Sequence, residues 1–330
     1  MRETLILAGD IGGTHSRFSL CAVEGEAVRT VRTQVYASRS APGLESLVQT
    51  FLAAGPKARI DAAALAVAGP VVEGRCVATN LPWVLDEALL GEAAGSPRTR
   101  LLNDLQAAAF GILFVDPDQK VSLNDLAPKP HGNAAVIAAG TGLGQAYLFW
   151  DGARHHPSPS EGSHGELGPR NETQLALSRY LIERFGHPST ERVVSGPGFT
   201  VLYDFLRDTG RQKAPPELEA ELATGDKNAL VSGYGVTGRY PICAEAMALF
   251  VDAFGAEAGN MALRGFATAG VYVAGGVPPK ILPCLRDGRF MEAFVDKGRF
   301  KDFLSTIPVT VVLDEHAGLL GSAHFARMML

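Results

Sequence analysis

Three acidic residues, an asparagine and a histidine carry the most chemistry in this sequence. Asn103-Asp104 stands where a short apolar run passes into a helical pattern. A carboxylate at a helix N-terminus is held ionised by the helix dipole, the state that can accept a hydroxyl proton. Capping alone also accounts for the pair, since Asn103 and Gln106 have the spacing of a capping box, and the two roles are compatible. Further along, Glu161-Gly162-Ser163-His164 lies in a long polar tract, and Glu191 precedes Ser195-Gly196-Pro197-Gly198. Sugar hydroxyls both donate and accept, so a sugar site alternates carboxylates, amides and imidazole. Asn103, Asp104, Glu161, His164 and Glu191 supply that set. His155, His156 and His164 could suggest a metal instead, but their spacing fits no helical ligand pair, and solvated loop histidines are the plainer reading.

Glycine-rich turns form the second group. Asp10-Ile11-Gly12-Gly13-Thr14 and Gly140-Thr141-Gly142-Leu143-Gly144 each follow an apolar run, and Gly275-Gly276 follows a third. Small residues let backbone N–H groups converge on a phosphate, and a threonine hydroxyl adds a donor. Asp10 could hold a hydrated magnesium ion. Either hairpin alone reads as an ordinary turn; both, with the third pair, favour a nucleotide held between two lobes. No Gly-Lys dipeptide occurs, which excludes a Walker P-loop, and the protein-kinase HRD and DFG triplets are absent. A literal GxGxxG at Gly233, Gly235 and Gly238 follows a helical pattern rather than a strand, so it reads as a flexible loop.

These residues need elements to position them. Thr4–Ala8, Arg17–Val23, Val28–Ala37, Ala63–Ala68 and Arg100–Asn103 read as strands, with helices near Leu44–Leu52 and from about Leu105. The layout then restarts: Ala134–Ala139, a Gly/Thr turn and Gln145–Trp150 repeat the first hairpin about 130 residues later, which suggests two halves on one plan. Apolar spacing predicts a long helix over Ile242–Phe266, strands at Val271–Ala274 and Val309–Leu313, and a closing helix from about Glu315 to Met329. Asp151–Asn171 shows no apolar period and reads as a structureless, functional or mobile segment.

Composition sets the outer bounds. The chain has 330 residues, enough for two domains, with 46% hydrophobic residues, 37 glycines and a net charge of −5. There is no excess of Lys and Arg to bind nucleic acid or a membrane surface. The longest apolar stretch, around Ala62–Val72, is too short for a membrane span, and the N-terminal run is too short for a signal-peptide core. Cys21, Cys76, Cys243 and Cys284 form no CxxC pair, as expected of free thiols in a reducing cytosol.

Together and in order, these motifs resemble the bacterial glucokinase family, hexokinase-type sugar kinases of the actin-like ATPase superfamily. Asp10–Thr14 resembles the first phosphate motif, Thr79-Asn80-Leu81-Pro82-Trp83 the sugar-side loop, Asn103-Asp104 the catalytic pair and Gly140–Gly144 the second phosphate motif. Glu161–His164 and Glu191–Gly198 resemble sugar-binding segments, Ala274–Gly276 the adenosine motif and Gly318–Gly321 part of the closing helix. The resemblance implies a two-lobed actin-like ATPase (ribonuclease H-like) α/β fold, with mixed sheets flanked by helices and an active-site cleft between the lobes. It implies a small α/β domain of residues 1–111 plus 315–330 and a large α/β domain of residues 112–314.

The implied activity is ATP-dependent phosphorylation of D-glucose at the 6-hydroxyl to glucose 6-phosphate, the entry step of glycolysis. Asp104 would be the general base. Asn80, Asn103, Asp104, Glu161, His164 and Glu191 would bind the sugar. Asp10, Gly12, Gly13, Thr14, Gly140, Thr141, Gly142, Gly275 and Gly276 would bind ATP, with Mg2+ on Asp10 through water. The resemblance also implies a cytoplasmic homodimer that partners neither nucleic acid nor membrane. His15 stands where the family usually has Asn, Ser163 replaces a usual Gly, and Gly165–Gly168 differs from the common pattern. The cysteine-rich zinc motif of the related repressor/sugar-kinase group is absent, as is a helix-turn-helix before Asp10. Another hexose (mannose, fructose or an amino sugar) and a non-catalytic sugar sensor on the same scaffold stay open as alternatives.

Overall fold

A computed structural model describes residues 3–330. The chain divides into two compact units, one of residues 1–117, 155–159 and 314–330, the other of residues 118–154 and 160–313.

The first unit contains β1 (Thr4–Ile11), β2 (His15–Glu24), β3 (Ala27–Ala37), β4 (Ala62–Val67), β5 (Val71–Val72), β6 (Arg75–Val77), β7 (Val84–Asp86) and β8 (Thr99–Asn103). Five of these make a sheet of order β3-β2-β1-β4-β8, and β5-β6-β7 form a small separate sheet. The β1–β2 and β2–β3 pairs are antiparallel, whereas β1–β4 and β4–β8 are parallel. Every residue of β4 is buried, as expected of a strand flanked on both edges and covered on both faces. Alternation sorts the side chains between two layers. Leu7, Ala63 and Leu65 meet Leu44, Phe51 and Leu90, which come from helices Leu44–Ala53 and Glu87–Ala94. Ile6, Ala8, Ala62 and Ala64 meet Ala107, Ala323 and Ala326, from helices Asp104–Ile112 and Ala317–Met328.

The two helices of that second layer cross closely. A Cβ on Gly321 would overlap the Ala107 carbonyl, and one on Gly111 the Ala317 carbonyl, so glycine is required on both sides. Helix Asp104–Ile112, whose first residue is the candidate base, is fixed against the sheet by this crossing.

The second unit repeats the plan. Its strands follow the order β11-β10-β13-β14-β9, built from β9 (Lys120–Ser122), β10 (Ala134–Ala139), β11 (Leu143–Trp150), β13 (Gly270–Ala274) and β14 (Val309–Val312); β12 (His155–Ser160) falls almost wholly within the residues of the first unit. As in the first sheet, an antiparallel hairpin, β10–β11, is followed by two parallel neighbours, β13 and β14. Helix Pro241–Arg264, 24 residues long, runs through the core of this unit with Met247, Phe250, Phe254 and Met261 buried.

Three expectations need correction. Gly233 and Gly235 lie inside helix Lys227–Thr237 and Gly238 caps it in the left-handed region, so this stretch is not a loop. Gly235 is tolerated there because it packs against the Cys243 carbonyl and Met247, where a Cβ would clash. The tract 151–171 is not structureless: it holds β12 and a 3-10 turn at Gly162–His164. Its alternation was hidden because Pro157 and Pro159 stand where a strand usually shows apolar or β-branched residues. His155, read as solvated, is buried in that strand.

Candidate active site

In the first unit the sheet delivers Asp10 and the first glycine turn. β1 runs on through Asp10 and Ile11, so the turn is shorter than the sequence suggests and comprises Gly12, Gly13 and Thr14. The Gly12 N–H donates to the His15 carbonyl at 2.9 Å, and the Ser38 hydroxyl donates to the Gly12 carbonyl at 2.6 Å. Gly13 packs on the sugar-side loop: a Cβ there would come within 2.7 Å of the Asn80 Cβ. That loop is anchored by Thr79 N–H on the Ala68 carbonyl and by Trp83, buried between its neighbours, which leaves Asn80 exposed. Burial raises the Asp10 pKa, opposed by Arg17 and His316. Arg17 faces Asp10 across the β1–β2 pair and lies 3.2 Å from the His316 imidazole. The Asp10 carboxylate also lies beside Gly318, in the first turn of the closing helix.

At the end of β8, Asn103 caps the next helix through Oδ1, which accepts from Leu105 N–H at 3.0 Å and Gln106 N–H at 3.2 Å. Its Nδ2 donates to the Gly69 carbonyl at 3.2 Å. Among the described residues the Gln106 side chain makes no reciprocal capping bond to Asn103 N–H; its amide donates to the Pro157 carbonyl at 2.9 Å. Asp104 is exposed, and its Oδ1 accepts from Leu105 N–H at 2.8 Å. The Cys76 thiol is pushed up first by burial and then by the charge of Asp104, which places that thiol beneath the carboxylate's field.

The second unit gathers the remaining sugar-side residues. His164 Nε2 lies 3.8 Å from Glu161 Oε2, and His164 Nδ1 lies 4.0 Å from Glu191 Oε1. These spacings exceed hydrogen-bond length and leave room for hydroxyls as mutual partners. The other oxygen of Glu191 accepts from Leu143 N–H at 2.9 Å, tying the acid to the second glycine turn. Gly142 permits this approach: a Cβ on it would sit 2.6 Å from Glu191 Oε2.

Gly140 and Thr141 of the second turn and Gly276 of the third glycine pair meet in one cavity of about 670 Å³, within the size range of a small-molecule pocket. Gly140, Thr141, Gly276, Asn228 and Lys280 are among its lining residues. A Cβ on Gly140 or Gly276 would meet no protein atom, so both leave open the space that a ligand would take. Gly275 has a different role. Its φ of 94° lies in the left-handed region, and a Cβ would overlap the Ala139 carbonyl. The cavity walls Asn228 and Lys280, and Arg17 and His316 beside Asp10, escaped the sequence reading. Only Arg17 had a signal, since a tight hairpin after Asp10 sets it opposite that residue.

No group of three or more His, Cys, Asp or Glu residues suited to a metal occurs among the described residues. The four cysteines are free, three of them buried.

Two sheets that share an antiparallel hairpin followed by two parallel strands, each hairpin joined by a glycine turn, are those of the actin-like ATPase fold of sugar kinases. A solved glucokinase from an Antarctic psychrotroph superposes with a TM-score of 0.87 at 29% identity, over 98% of this chain and 99% of that one. The glucokinase family model matches residues 7–329. Curated glucokinases from Nostoc sp. and Synechocystis sp. are each 37% identical, covering 97% and 96% of this chain and 98% and 96% of their own lengths. The chain belongs to the glucokinase family.

Proposed function

We propose that this chain transfers the γ-phosphoryl group of ATP to the 6-hydroxyl of D-glucose, releasing ADP and glucose 6-phosphate, with Asp104 as general base. The observation that carries the reading is the setting of Asp104. It is the exposed first residue of a helix whose Leu105 and Gln106 N–H groups are served by the Asn103 side chain. The helix dipole favours the ionised carboxylate, which can take the 6-hydroxyl proton as that oxygen attacks the γ-phosphorus. Asn103 keeps a second amide proton to offer a sugar hydroxyl, while Asn80, Glu161, His164 and Glu191 orient the remaining hydroxyls. Catalysis then rests on positioning and electrostatic stabilisation, as in phosphoryl transfer generally.

For the nucleotide, the open space at Gly140, Thr141 and Gly276 supports a place for adenosine and phosphates. Gly12, Gly13 and Thr14 supply N–H and hydroxyl donors from the first turn, and Gly142 and Gly275 shape the second and third. Asp10 is a single, partly buried carboxylate, a donor set that suits magnesium held through water and substrate oxygens. When bound, that ion supplies positive charge to the phosphate oxygens. Chelation should abolish turnover, and Asp10→Asn should raise the magnesium concentration required to restore it.

The inferred place of action is the cytoplasm, at the entry to glycolysis; no helix among the described residues is long and apolar enough to cross a membrane. A homodimer is the inferred assembly; a sedimentation mass of a single 34.9 kDa chain would remove it.

A coupled ADP-release assay over glucose, mannose, fructose and an amino sugar tests the substrate. Glucose should give the highest kcat/KM. Asp104→Asn should lower kcat by roughly 10²-fold or more while glucose binding persists. Near-normal turnover in that variant would remove Asp104 from the mechanism.

A further inference from the structure

Two carboxylates are buried among the described residues, Asp204 and Glu257, each 5% exposed. Asp204 is matched by three cations, Arg184, Arg207 and Lys227. Glu257 lies in the otherwise apolar inner face of helix Pro241–Arg264 and has no part in the chemistry above. Its Oε1 accepts from Gln145 Nε2 at 2.9 Å and Arg264 at 3.0 Å, and its Oε2 from Asn260 at 2.9 Å. Asn260 and Arg264 belong to its own helix. Among the described residues, Gln145 in β11 alone hydrogen-bonds to it from another element.

We propose that Glu257, acting through Gln145, positions the sugar-binding turn Glu161–His164 and so sets the affinity for glucose; this rests on the functional reading above. An ionised carboxylate can only accept, so Glu257 forces Gln145 to present its NH2 and to aim its carbonyl the other way. That carbonyl, Gln145 Oε1, is buried and receives no hydrogen bond among the described residues. It abuts Gly162: a Cβ on Gly162 would fall 2.6 Å from Oε1 and 3.0 Å from the Ser160 hydroxyl. A buried acceptor left without a donor is costly, and its retention here requires an explanation.

The explanation is steric. The bare carbonyl oxygen fits beneath Gly162, whereas a flipped amide would set two N–H hydrogens against the turn. Gly162 opens a tight turn in which His164 N–H donates to the Glu161 carbonyl at 3.1 Å and Gly165 N–H to the Gly162 carbonyl at 3.0 Å. Displacing Gly162 therefore moves Glu161 and His164 together. The same strand reaches the third sugar-side acid, since Leu143 N–H holds Glu191 two residues before Gln145. β11 is thus the rail on which Glu161, His164 and Glu191 are set, and Glu257 fixes the orientation of its one buried amide.

The test compares glucose Kd by calorimetry, steady-state kinetics and Tm for the wild type, Glu257→Gln and the reciprocal exchange Glu257→Gln with Gln145→Glu. In Glu257→Gln the amide can flip, and both Kd and KM for glucose should rise about 10-fold or more, with kcat and the KM for ATP within about threefold. The exchange again places an acceptor oxygen beneath Gly162 and should bring glucose Kd back to within about threefold of the wild type. A folded Glu257→Gln with wild-type glucose Kd overturns the proposal, as does an exchange no better than the single variant. Should Glu257→Gln fail to fold, Gly162→Ala decides: its methyl group meets Gln145 Oε1, and an unchanged glucose Kd overturns the positioning role. Wild-type protein that binds no hexose refutes the functional reading and this inference with it, whereas normal wild-type binding with unchanged variants refutes the inference alone.

Discussion

His324 shows how a single side chain can make the stability of this chain depend on pH. Its ring stacks on Phe114 with centroids 3.5 Å apart and planes 2° from parallel, and its Nδ1 is buried without a partner among the described residues. Burial, assisted by the charge of Arg327, pushes its pKa down from 6.5 to about 4. The folded chain keeps the ring neutral, while the unfolded chain protonates it below pH 6.5. The stability of the neutral ring is therefore complete above pH 6.5 and is lost as the pH falls from there towards 4. The loss is on the order of 2 kcal/mol for a partly shielded group with this direction of shift. His324→Phe keeps an aromatic partner for Phe114 and removes the titration. Its Tm should fall less steeply with acidification across that window, and an unchanged slope would count against the argument.

At the scale of elements, the crossing of helices Asp104–Ile112 and Ala317–Met328 ties stability to catalysis. Gly321→Ala would push a methyl group into the Ala107 carbonyl, and overpacking of this kind costs about 1–3 kcal/mol. Because Ala107 is on the helix that begins with Asp104, kcat should fall along with the denaturation midpoint. A variant with wild-type midpoint and turnover would show that the helices separate freely. Most strands and the long helices were legible in the sequence, because Ala62–Val67 and Pro241–Arg264 carry strong apolar patterns. The glycine turns and Asn103-Asp104 were legible too, since cap and turn chemistry is local. Two features were not. β12 was hidden by its prolines, and the second half of helix Lys227–Thr237 by glycines, of which Gly235 serves a tertiary contact with Met247. The Gln145–Glu257 bond was also out of reach, because it joins residues 112 positions apart and nothing in either local segment announces the other.

The whole molecule responds to ligand through mass action. A sugar that binds only the folded chain stabilises it by about 2.7 kcal/mol at one hundred times its Kd. Glucose should therefore raise the Tm in proportion to the logarithm of its concentration. Asp104→Asn should keep most of that rise, since its loss is in proton transfer rather than in binding. A hexose that the site does not bind should give no rise, so a thermal scan over several sugars reports binding specificity independently of turnover. If glucose leaves the Tm unmoved at millimolar concentration, the sugar assignment fails at this scale as well.

The helix Ala317–Met328 covers one face of the sheet that Thr4–Ile11 begins. That contact joins residues more than 250 positions apart, with residues 160–313 of the other unit between them. Closing so long a loop carries an entropic cost that local contacts escape, so docking of the helix should follow rather than lead in folding. Until it docks, Ile6, Ala8, Ala62 and Ala64 lack their cover, and an alanine-lined face stays open to other chains.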